Sequence, residues 1–476
     1  MCIRDRLKFE KPIVVSAVCL SMILSVGSCA GDGFDEETFS GGVTNTQLES
    51  PDASKVSFEK LAGKPSVKVE WPVIMGAGGY LFSMYIVDDP TNPVAVVKDS
   101  IIDGCSVACT YLDDTNYKVE IKTLGNDKYN NKDAASVSEV TWSTLVPATT
   151  IPAGTDLNTY FENNPITSGK DVEVAYELEA GGSYTISGDL NLGVNNVQLR
   201  GNKVNHAKVT FTGSGAIVSS GGGMALKFID FDCDVVSKGS FVKFGDVPEE
   251  IKGMNSYGIV TNPMIIQSCE IRNVRHYLVN INGKKYAIQN FIVRDCLIKF
   301  YQDAEIFNFN SNNSFVKDFE LSSSTLYNLS EASNGRFMRV AGGKGADVGW
   351  ADCSMNFTSN TFYNISCDQE AFNSNVWNRQ KNTVNLSKNI FYDSCKGEFN
   401  RRIVGGRTDN AKTCDNNCYW YKGGSGLEKE ANGNYGDKST SAYGVDPGFK
   451  DPANGDFTVR HSEVISHGSG DPRWLK

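Results

Sequence analysis

Apolar and polar residues alternate with a period of two through the first third of the chain. Val67, Val69 and Trp71, for example, alternate with Lys68 and Glu70. Residues two apart lie on the same face of a β-strand, so this alternation predicts a strand with one buried face. Similar runs cover residues 80–85, 94–102, 117–121 and 137–142. About seven short strands in this segment predict a small β-sandwich over residues 52–146.

A repeat occupies the chain from residue 150 to residue 476. Each copy has a small or amide residue, then a large apolar residue two positions later, and usually Asn or Asp two positions after that. Six copies begin at Cys269, Cys296, Ser324, Asn360, Asn389 and Asn417, with spacings of 27, 28, 36, 29 and 28 residues. Helical repeats would show a 3.6-residue period instead. The pattern therefore predicts a right-handed parallel β-helix, whose coils stack about 4.8 Å apart.

Two columns of side chains follow from this repeat. The large apolar residues are expected to stack inside the coils as Ile271, Ile298, Leu326, Phe362, Phe391 and Tyr419. In a second set of runs, a polar residue between two mostly apolar ones is expected to point outward. These outward residues are Lys243, Asn280, Asn308, Arg339, Asn373 and Arg402. Asn residues at the corners of the coils are expected to form ladders of amide hydrogen bonds.

The N-terminal residues are expected to be a targeting signal. Basic residues at positions 4–11 precede Ile13–Leu24, an almost uncharged run that is too short for a comfortable membrane span. The sequence Val26-Gly27-Ser28-Cys29 follows and resembles the lipobox of bacterial lipoproteins. That resemblance implies a signal peptide at residues 1–28 and lipid on Cys29. The alternative is an ordinary signal peptide with a cysteine there by chance.

The segment after Cys29 is predicted to be a flexible tether over residues 29–51, since it has few large apolar residues. Its acidic residues Asp32, Asp35, Glu36 and Glu37 resemble the surface-export signal of Bacteroidetes-type lipoproteins. The resemblance implies a protein that is anchored by lipid in the outer membrane and exposed at the cell surface.

The net charge indicates which partners suit the chain, and the cysteines indicate which disulfides it could form. A formal net charge of −10 and a pI near 5.1 make nucleic acid a poor partner. The closest cysteine pairs, Cys105 with Cys109 and Cys414 with Cys418, are open to disulfide formation. Cysteine is also a common small buried residue, so most thiols are expected to be free and buried.

Particular residues in both segments resemble known families. Trp71, and Leu112 followed by Tyr117 as in a tyrosine corner, resemble a fibronectin type III module. The repeat, together with the sequences at residues 446–449, 455–457 and 471–474, resembles pectate-lyase-like β-helix lipoproteins encoded beside glycan-uptake genes in Bacteroidetes-type bacteria. This resemblance implies an all-β chain, a polysaccharide as partner, and other glycan-uptake proteins as further partners.

The first candidate for a functional site is the set Asp230, Asp232 and Asp234. If these residues lie on one strand, all three carboxylates share one face of it. Such a row could hold Ca²⁺ against a uronate, or supply an acid and a base for hydrolysis. The alternative is a solvated polar face.

The outward column of Lys, Arg and Asn is the second candidate. It could bind an acidic glycan, or its cations could neutralise a uronate during β-elimination. The alternative is a set of ordinary outward side chains that bind nothing. Separately, His276 is expected to be an ordinary turn residue and not part of a site. No complete set of catalytic residues emerges. Three functions therefore remain open: a glycan-binding protein, a polysaccharide lyase or hydrolase, and a structural or adhesive spacer.

Overall fold

The structure is a computed structural model of the chain. It describes residues 42–236, 239–309, 314–330, 335–340, 345–373, 381–403, 411–432 and 436–476. The predicted signal peptide, Cys29 and the first part of the predicted tether lie outside the described residues. The chain divides into two compact units, and the boundary lies between Val146 and Pro147.

The first unit contains two antiparallel sheets around one core. The three-stranded sheet has the order Ser57–Lys60, Ser66–Glu70, Ser106–Thr110. The four-stranded sheet has the order Val94–Ile102, Gly79–Ile86, Asn116–Leu124, Ser138–Ser143. Val67 and Val69 from one sheet and Phe82, Val119 and Ile121 from the other are all fully buried in a common cluster. The period-two alternation therefore places one face of each sheet in the core.

Trp71 and Tyr117, which the sequence analysis singles out, are both buried in this unit. The Trp71 side chain is buried, and its ring lies 5.4 Å from the ring of Tyr80 and 5.8 Å from that of Phe82. The backbone N–H of Leu112 donates a hydrogen bond of 2.7 Å to the Tyr117 hydroxyl. This bond connects the turn at Leu112 to the strand Asn116–Leu124, which contains Tyr117.

The second unit is built on three long sheets, whose strands pair in parallel apart from one terminal pair. In chain order, the eleven-stranded sheet contains Ala148–Ile151, Glu173–Leu178, Asn196–Arg200, Met224–Lys227, Gly258–Val260, Met264–Gln267, Tyr286–Arg294, Phe315–Ser322, Asp352–Thr358, Lys381–Ser387 and Ala411–Asp415. The ten-stranded sheet contains Ser183–Ile186, Ala207–Phe211, Ile229–Asp232, Glu270–Val274, Leu297–Phe300, Thr325–Asn328, Thr361–Tyr363, Ile390–Tyr392, Cys418–Tyr421 and the antiparallel Gly424–Ser425. The six-stranded sheet contains Leu190–Gly193, Ile217–Ser219, Ser240–Phe244, Tyr277–Asn280, Phe307–Asn308 and Met338–Arg339.

The order in which the chain visits these sheets makes it coil. It passes from the eleven-stranded to the ten-stranded and then to the six-stranded sheet, and each strand pairs with the equivalent strand one passage earlier. Every passage therefore stacks on the one before. The chain is all-β in its main architecture, with short helical segments between strands.

Helical segments are few and short among the described residues. The α-helices span Leu157–Asn163, Leu427–Glu430 and Ser462–His467. The 3₁₀ turns span Ala53–Lys55, Asp127–Tyr129, Glu249–Ile251, Met254–Ser256, Gly345–Val348, Cys395–Gly397, Pro452–Asn454 and Pro472–Trp474. Within the part of the chain that the structure describes, no helix has the length and hydrophobicity needed to cross a membrane.

The predicted inward column is confirmed. Strand pairing places each residue of the column opposite the next, from Ile271 through Ile298 and Leu326 to Phe362, Phe391 and Tyr419. All six side chains are buried. The rings of Phe362 and Phe391 stack at 4.9 Å, and those of Phe391 and Tyr419 at 5.3 Å.

Buried asparagines form the predicted amide ladder beside this column. The Nδ2 of Asn360 donates to Oδ1 of Asn389 at 3.0 Å, and the Nδ2 of Asn389 donates to Oδ1 of Asn417 at 3.0 Å. The ladder ends at Asp437, whose carboxylate accepts from Asn417 at 3.1 Å and from the Tyr419 hydroxyl at 2.8 Å. The buried amides are therefore satisfied from coil to coil, as polar groups without water must be.

The corner between the eleven-stranded and ten-stranded sheets uses one left-handed residue in coil after coil. These residues are Phe228, Ser268, Asp295, Ser323, Ser359, Lys388 and Asn416, with φ between 47° and 59°. Six of these backbone N–H groups donate to a carbonyl of the next coil, as Ser268 does to Arg294 at 2.9 Å, and that of Asn416 donates to the Ser441 hydroxyl at 3.0 Å. A single left-handed residue turns the chain sharply while keeping its hydrogen bonds.

The C-terminal segment folds back over the outside of the ten-stranded sheet. There, Tyr327, Tyr363 and Tyr392 form an outward row in which each residue pairs with the next. Phe457 lies 5.1 Å from Tyr327 and 5.4 Å from Tyr363, and Phe449 lies 5.6 Å from Tyr392. The motifs near residues 449, 457 and 474 therefore cover an aromatic surface.

Asp471 fastens this segment to the sheet. Its buried carboxylate accepts a hydrogen bond of 2.8 Å from the Thr325 hydroxyl, and it also contacts Nε of Arg473 at 2.9 Å. The indole N–H of Trp474 donates to the same Thr325 hydroxyl at 2.8 Å. Burial raises the pKa of Asp471 to about 6, and Arg473 and Thr325 oppose that rise.

The ten cysteines of the described residues form no disulfide. Cys233, Cys269, Cys296, Cys395 and Cys418 are buried, and burial raises the pKa of the Cys296 and Cys418 thiols to about 12. The expectation of buried thiols for most cysteines agrees with this arrangement.

The register of the inward column gives a first testable prediction. Leu326→Asp should destabilise the second unit by several kcal/mol, because an unpaired carboxylate would enter the packed interior. Thr210→Asp is the matched control, since Thr210 is exposed on the same ten-stranded sheet. Thermal unfolding followed by circular dichroism measures both. Equal melting temperatures for Leu326→Asp and the parent would contradict the register.

The buried carboxyl of Asp471 gives a prediction about pH. In the unfolded chain it titrates near its ordinary pKa of 3.8, and in the folded chain near 6. Between these values the folded state holds more protons, so its stability falls as the pH rises. From pH 4 to pH 7, the stability of the parent relative to Asp471→Asn should fall by up to roughly 3 kcal/mol.

Urea unfolding at the two pH values tests this prediction. Asp451→Asn is the control, because Asp451 belongs to the same C-terminal segment but is exposed. It should leave the pH dependence as in the parent. A pH dependence that is the same in the parent and in Asp471→Asn would show that the carboxyl does not titrate in this range.

Candidate functional site

The predicted outward column lies on the six-stranded sheet. Strand pairing places Lys243 opposite Asn280, Asn280 opposite Asn308, and Asn308 opposite Arg339. Asn373 continues the column, because Phe372 bridges to Met338 on the preceding coil. The Nδ2 of Asn308 donates to Oδ1 of Asn280 at 3.2 Å. The sheet thus presents polar side chains at its strand spacing of about 4.8 Å.

Arg402 reaches the column in another way than the sequence predicts. It is not on a strand, and its backbone is left-handed with φ 68°. Its guanidinium nevertheless extends back to the previous coil, where it donates to the Asn373 carbonyl at 3.2 Å and pairs with Glu370 at 2.8 Å. The prediction that Arg402 lies on a strand as the sixth residue of the column is wrong, because the chain turns at this position instead of extending.

A second polar row lies three residues before the column on the same coils. It consists of Tyr277, Glu305, Arg336 and Glu370, all of which are partly buried. The side chains of Glu305 and Glu370 are 18% and 16% exposed. Sequence reasoning missed this row. The sequence feature that could have revealed this row is that each of its residues lies three positions before a residue of the outward column.

Ion pairs connect the two rows and their surroundings. Lys243 pairs with Asp189 at 2.6 Å, and Arg339 pairs with Glu305 at 2.7 Å. Glu370 collects three guanidinium groups, from Arg336 at 3.3 Å, Arg401 at 2.6 Å and Arg402 at 2.8 Å. Each cation of the column therefore has a carboxylate partner, and the surface carries little excess charge.

A histidine and a tyrosine border the same surface. Nδ1 of His276 lies 2.6 Å from the Asp303 carboxylate, so this turn residue is held in an ion pair when it is protonated. Burial raises the pKa of the neighbouring Tyr277, and Glu305 adds to that rise while Arg339 opposes it. The Tyr277 hydroxyl therefore stays protonated at neutral pH and can donate hydrogen bonds.

Together the two rows, named here the polar face, form a grid of donors and acceptors. The polar face comprises Lys243, Tyr277, Asn280, Glu305, Asn308, Arg336, Arg339, Glu370, Asn373 and Arg402. Guanidinium and ammonium groups supply donors, carboxylates supply acceptors, and the Asn amides supply both. Ion pairs and strand geometry fix most of these groups in place.

The three predicted aspartates are not brought together. The strand ends at Asp232, so Asp234 lies in a turn and does not share the strand face. Asp230 contacts Nδ1 of His206 at 2.9 Å, Asp232 accepts from Asn273 at 3.0 Å, and Asp234 pairs with Arg275 at 2.9 Å. The prediction of one shared face therefore holds for Asp230 and Asp232, which alternate with the buried Ile229 and Phe231, but it is wrong for Asp234 because the strand has already ended.

The described part of the chain contains no arrangement of side chains suited to a metal ion, either at these aspartates or elsewhere. Among the residues from 42 onward that the structure describes, no group of three His, Cys, Asp or Glu side chains is arranged to hold a metal ion. The calcium site predicted at Asp230, Asp232 and Asp234 lacks the convergence of oxygen ligands that Ca²⁺ needs.

Three protein-family models match parts of the chain, each described as a domain of unknown function. They cover residues 8–181 (DUF4992), residues 182–329 (DUF4957) and residues 355–474 (DUF5123). None of the three spans half of the chain. No curated protein matches it.

Solved structures show only distant similarity. One is FN3tt, with 16% identity, 21% of this chain and 97% of that chain covered, and a TM-score of 0.16. Another is the catalytic unit of a thermostable GH87 alpha-1,3-glucanase from Streptomyces thermodiastaticus strain HF3-3, with 13% identity, 80% and 88% covered, and a TM-score of 0.23. A third is a family 28 exopolygalacturonase from Yersinia enterocolitica, with 10% identity, 78% and 98% covered, and a TM-score of 0.14. Values this low carry no functional conclusion for this chain.

Proposed function

We propose that this chain binds polysaccharide along the polar face of the six-stranded sheet. The observation that carries the proposal is the column from Lys243 to Asn373, in which one polar side chain recurs on each of five successive coils. Five coils at about 4.8 Å make a row of roughly 19 Å between the first and last backbone positions. A row of this length suits an extended chain of sugars better than a small molecule.

The chemistry of the face favours hydroxyl groups as ligands. A sugar hydroxyl both donates and accepts, and the Asn280 and Asn308 amides can do the same. These amides already bond to each other at 3.2 Å, so their free donor and acceptor positions are oriented before a ligand arrives. Such preorganisation lowers the entropy lost on binding.

Charge bears on which polysaccharide binds. The sequence favours an acidic glycan, since it places cations in the column. Lys243, Arg339 and Arg402 are all paired with carboxylates in the structure, so an acidic chain would compete with these partners. We therefore propose a hydroxyl-rich chain that need not be acidic, and both classes belong in the test.

We further infer that the second unit is a right-handed parallel β-helix of the pectin lyase type, and that the first is a fibronectin type III-like module. The support for the β-helix is the cyclic order of the three sheets and the stacked inward column. The support for the module is its two antiparallel sheets, the buried Trp71 and the Tyr117 hydrogen bond.

Cleavage of the bound polysaccharide is the second candidate function. Glu305 and Glu370 lie on the same face two coils apart, which corresponds to about 10 Å between backbone positions. Inverting glycoside hydrolases place two carboxyl groups roughly 6.5–9.5 Å apart around the scissile bond. Both carboxylates are paired with guanidinium groups, however, and this favours binding over proton transfer.

The proposal predicts that the paired amides of the polar face carry affinity. The double variant Asn280→Ala, Asn308→Ala should weaken retardation by a bound polysaccharide in affinity electrophoresis by about tenfold or more, since it removes several hydrogen bonds to the ligand. The panel should contain neutral and acidic polysaccharides. Melting temperatures should remain close to that of the parent.

The chain offers a matched control for this variant. Asn356 and Asn385 form the same kind of pair on the eleven-stranded sheet, with an Nδ2 to Oδ1 distance of 2.8 Å. Their double replacement by Ala should leave retardation unchanged. Equal loss in both variants, or no retardation of the parent by any polysaccharide, would overturn the proposal and favour a structural or adhesive spacer. New reducing ends or unsaturated uronide absorbance, lost in Glu370→Gln, would establish cleavage.

We also propose that Cys29 is acylated and that the protein is held at the outer membrane, facing the cell exterior. The support is the sequence alone: the apolar run, the lipobox-like residues before Cys29 and the acidic residues after it. A lipid anchor and a tether would present the polar face to extracellular polysaccharide. Neighbouring glycan-uptake proteins would then be its natural partners.

This proposal predicts a change in membrane partitioning. Cys29→Ser should move the protein from the membrane fraction to the soluble fraction, because acylation requires the thiol. Ser28→Ala is the control and should keep the protein in membranes. Added protease should degrade the parent on intact cells. Protection from protease would contradict surface exposure, and membrane retention of Cys29→Ser would contradict acylation.

A further inference from the structure

The turn that precedes the strand Tyr286–Arg294 has an Asn-Gly pair at its tip. Asn282 and Gly283 are both exposed, and both have a left-handed backbone, with φ 53° and 72°. The backbone N–H of Lys284 donates to the Ile281 carbonyl at 3.1 Å and closes the turn. Two left-handed central residues are typical of a type I′ turn, for which Asn-Gly is a favoured pair.

An Asn-Gly pair is chemically reactive, because the backbone nitrogen of the glycine can attack Cγ of the asparagine with no side chain in the way. The Asn282 amide has no hydrogen-bond partner among the described residues, so Cγ can rotate toward that nitrogen. A Cβ at Gly283 would meet no neighbouring atom within 4 Å, so the tip of the turn is not crowded. The hydrogen bond that closes the turn has to open for the attack, and the reaction is therefore slower than in the unfolded chain.

A second Asn-Gly pair, Asn454–Gly455, provides a contrast within the same chain. It follows from a different local structure, since Asn454 is the last residue of a 3₁₀ turn. The Nδ2 of Asn454 donates to the Asp451 carboxylate at 2.8 Å, and this bond holds the side-chain amide in place. Asn282 has no such restraint on its amide, so the two pairs should differ in reactivity.

We propose that Asn282 is a site of spontaneous deamidation, which places a new carboxylate beside the polar face. The Gly283 nitrogen forms a bond to Cγ of Asn282, the Cγ–Nδ2 bond breaks, and the proton of the attacking nitrogen leaves with Nδ2 as ammonia. Water then opens the resulting succinimide at one of its two carbonyls, and the products are aspartate and isoaspartate. Water is the only co-reactant, and no group is oxidised or reduced.

The contacts of Asn282 connect this change to the polar face. Its backbone N–H donates to Oδ1 of Asn280 at 3.0 Å, and the same oxygen accepts from Nδ2 of Asn308 at 3.2 Å. Isoaspartate lengthens the backbone of the turn by one methylene group, and both products add a negative charge next to the Asn280 amide. Deamidated protein should therefore be retarded less by a polysaccharide, a consequence that rests on the function proposed for the polar face.

Peptide mapping of the full chain by mass spectrometry tests the site. The folded protein is incubated in mildly alkaline buffer and then digested with trypsin, which releases residues 276–284 and 451–460 as separate peptides. The mass increase for conversion of an amide to a carboxyl group should accumulate at Asn282 faster than at Asn454. A sample digested without incubation corrects for deamidation during digestion. The measurement needs no ligand, so its outcome is independent of polysaccharide binding.

Two glycine variants make the test specific. Gly283→Ala adds a Cβ beside the attacking nitrogen and should slow deamidation of Asn282 by about tenfold or more. Gly455→Ala is the matched control and should leave the rate at Asn282 unchanged. An intact Asn282 after incubation, equal rates at Asn282 and Asn454, or an unchanged rate in Gly283→Ala would overturn the proposal.

The effect on the polar face has its own variant. Asn282→Asp reproduces one of the two products and should be retarded less than the parent by any polysaccharide that the parent binds. Equal retardation of Asn282→Asp and the parent would refute the effect on binding, whereas the mass increase at Asn282 would still establish the modification.

Discussion

Hydrogen bonding between successive coils is the interaction on which the second unit depends. Parallel pairing places Ile298 opposite Leu326 and Leu326 opposite Phe362, so one register sets the contents of the core and of the surface together. A shift of one residue would move the whole inward column to solvent. The apolar column opposes such a shift, because each coil buries its large side chain against the next.

Polar groups inside the coils must also be satisfied, and the ends of the stack need closure. The Asn360–Asn389–Asn417 ladder passes its amide bonds along the interior and ends on Asp437. Near the same end, the buried Glu430 accepts from the backbone N–H groups of Phe399 and Asn400, at 2.6 and 2.9 Å. Stacked coils are stable only when the last coil is capped in some such way.

The same stacking explains what kind of surface the unit presents. Because strands repeat at about 4.8 Å, outward side chains form rows with a fixed spacing. On the polar face, ion pairs such as Arg339–Glu305 link one coil to the next and hold those rows in place. The polysaccharide binding proposed for this face would depend on geometry and on paired donors and acceptors more than on excess charge. On the ten-stranded sheet, the C-terminal segment covers the aromatic row and pairs Arg473 with Asp295.

The sequence by itself determined the periodic features: the alternating strands, the coil repeat, the inward column and the Asn ladder. A period converts directly into a face and a stacking order, so no distant contact had to be known. Only the tertiary structure decided which charges meet. Asp189 reaches Lys243 across 54 residues, and Asp295 reaches Arg473 across 178. Such pairs depend on which coils become neighbours and on how the C-terminal segment folds back, and neither is periodic. Local turns also override the repeat at two predicted strand positions, Asp234 and Arg402, and the period alone does not reveal such turns.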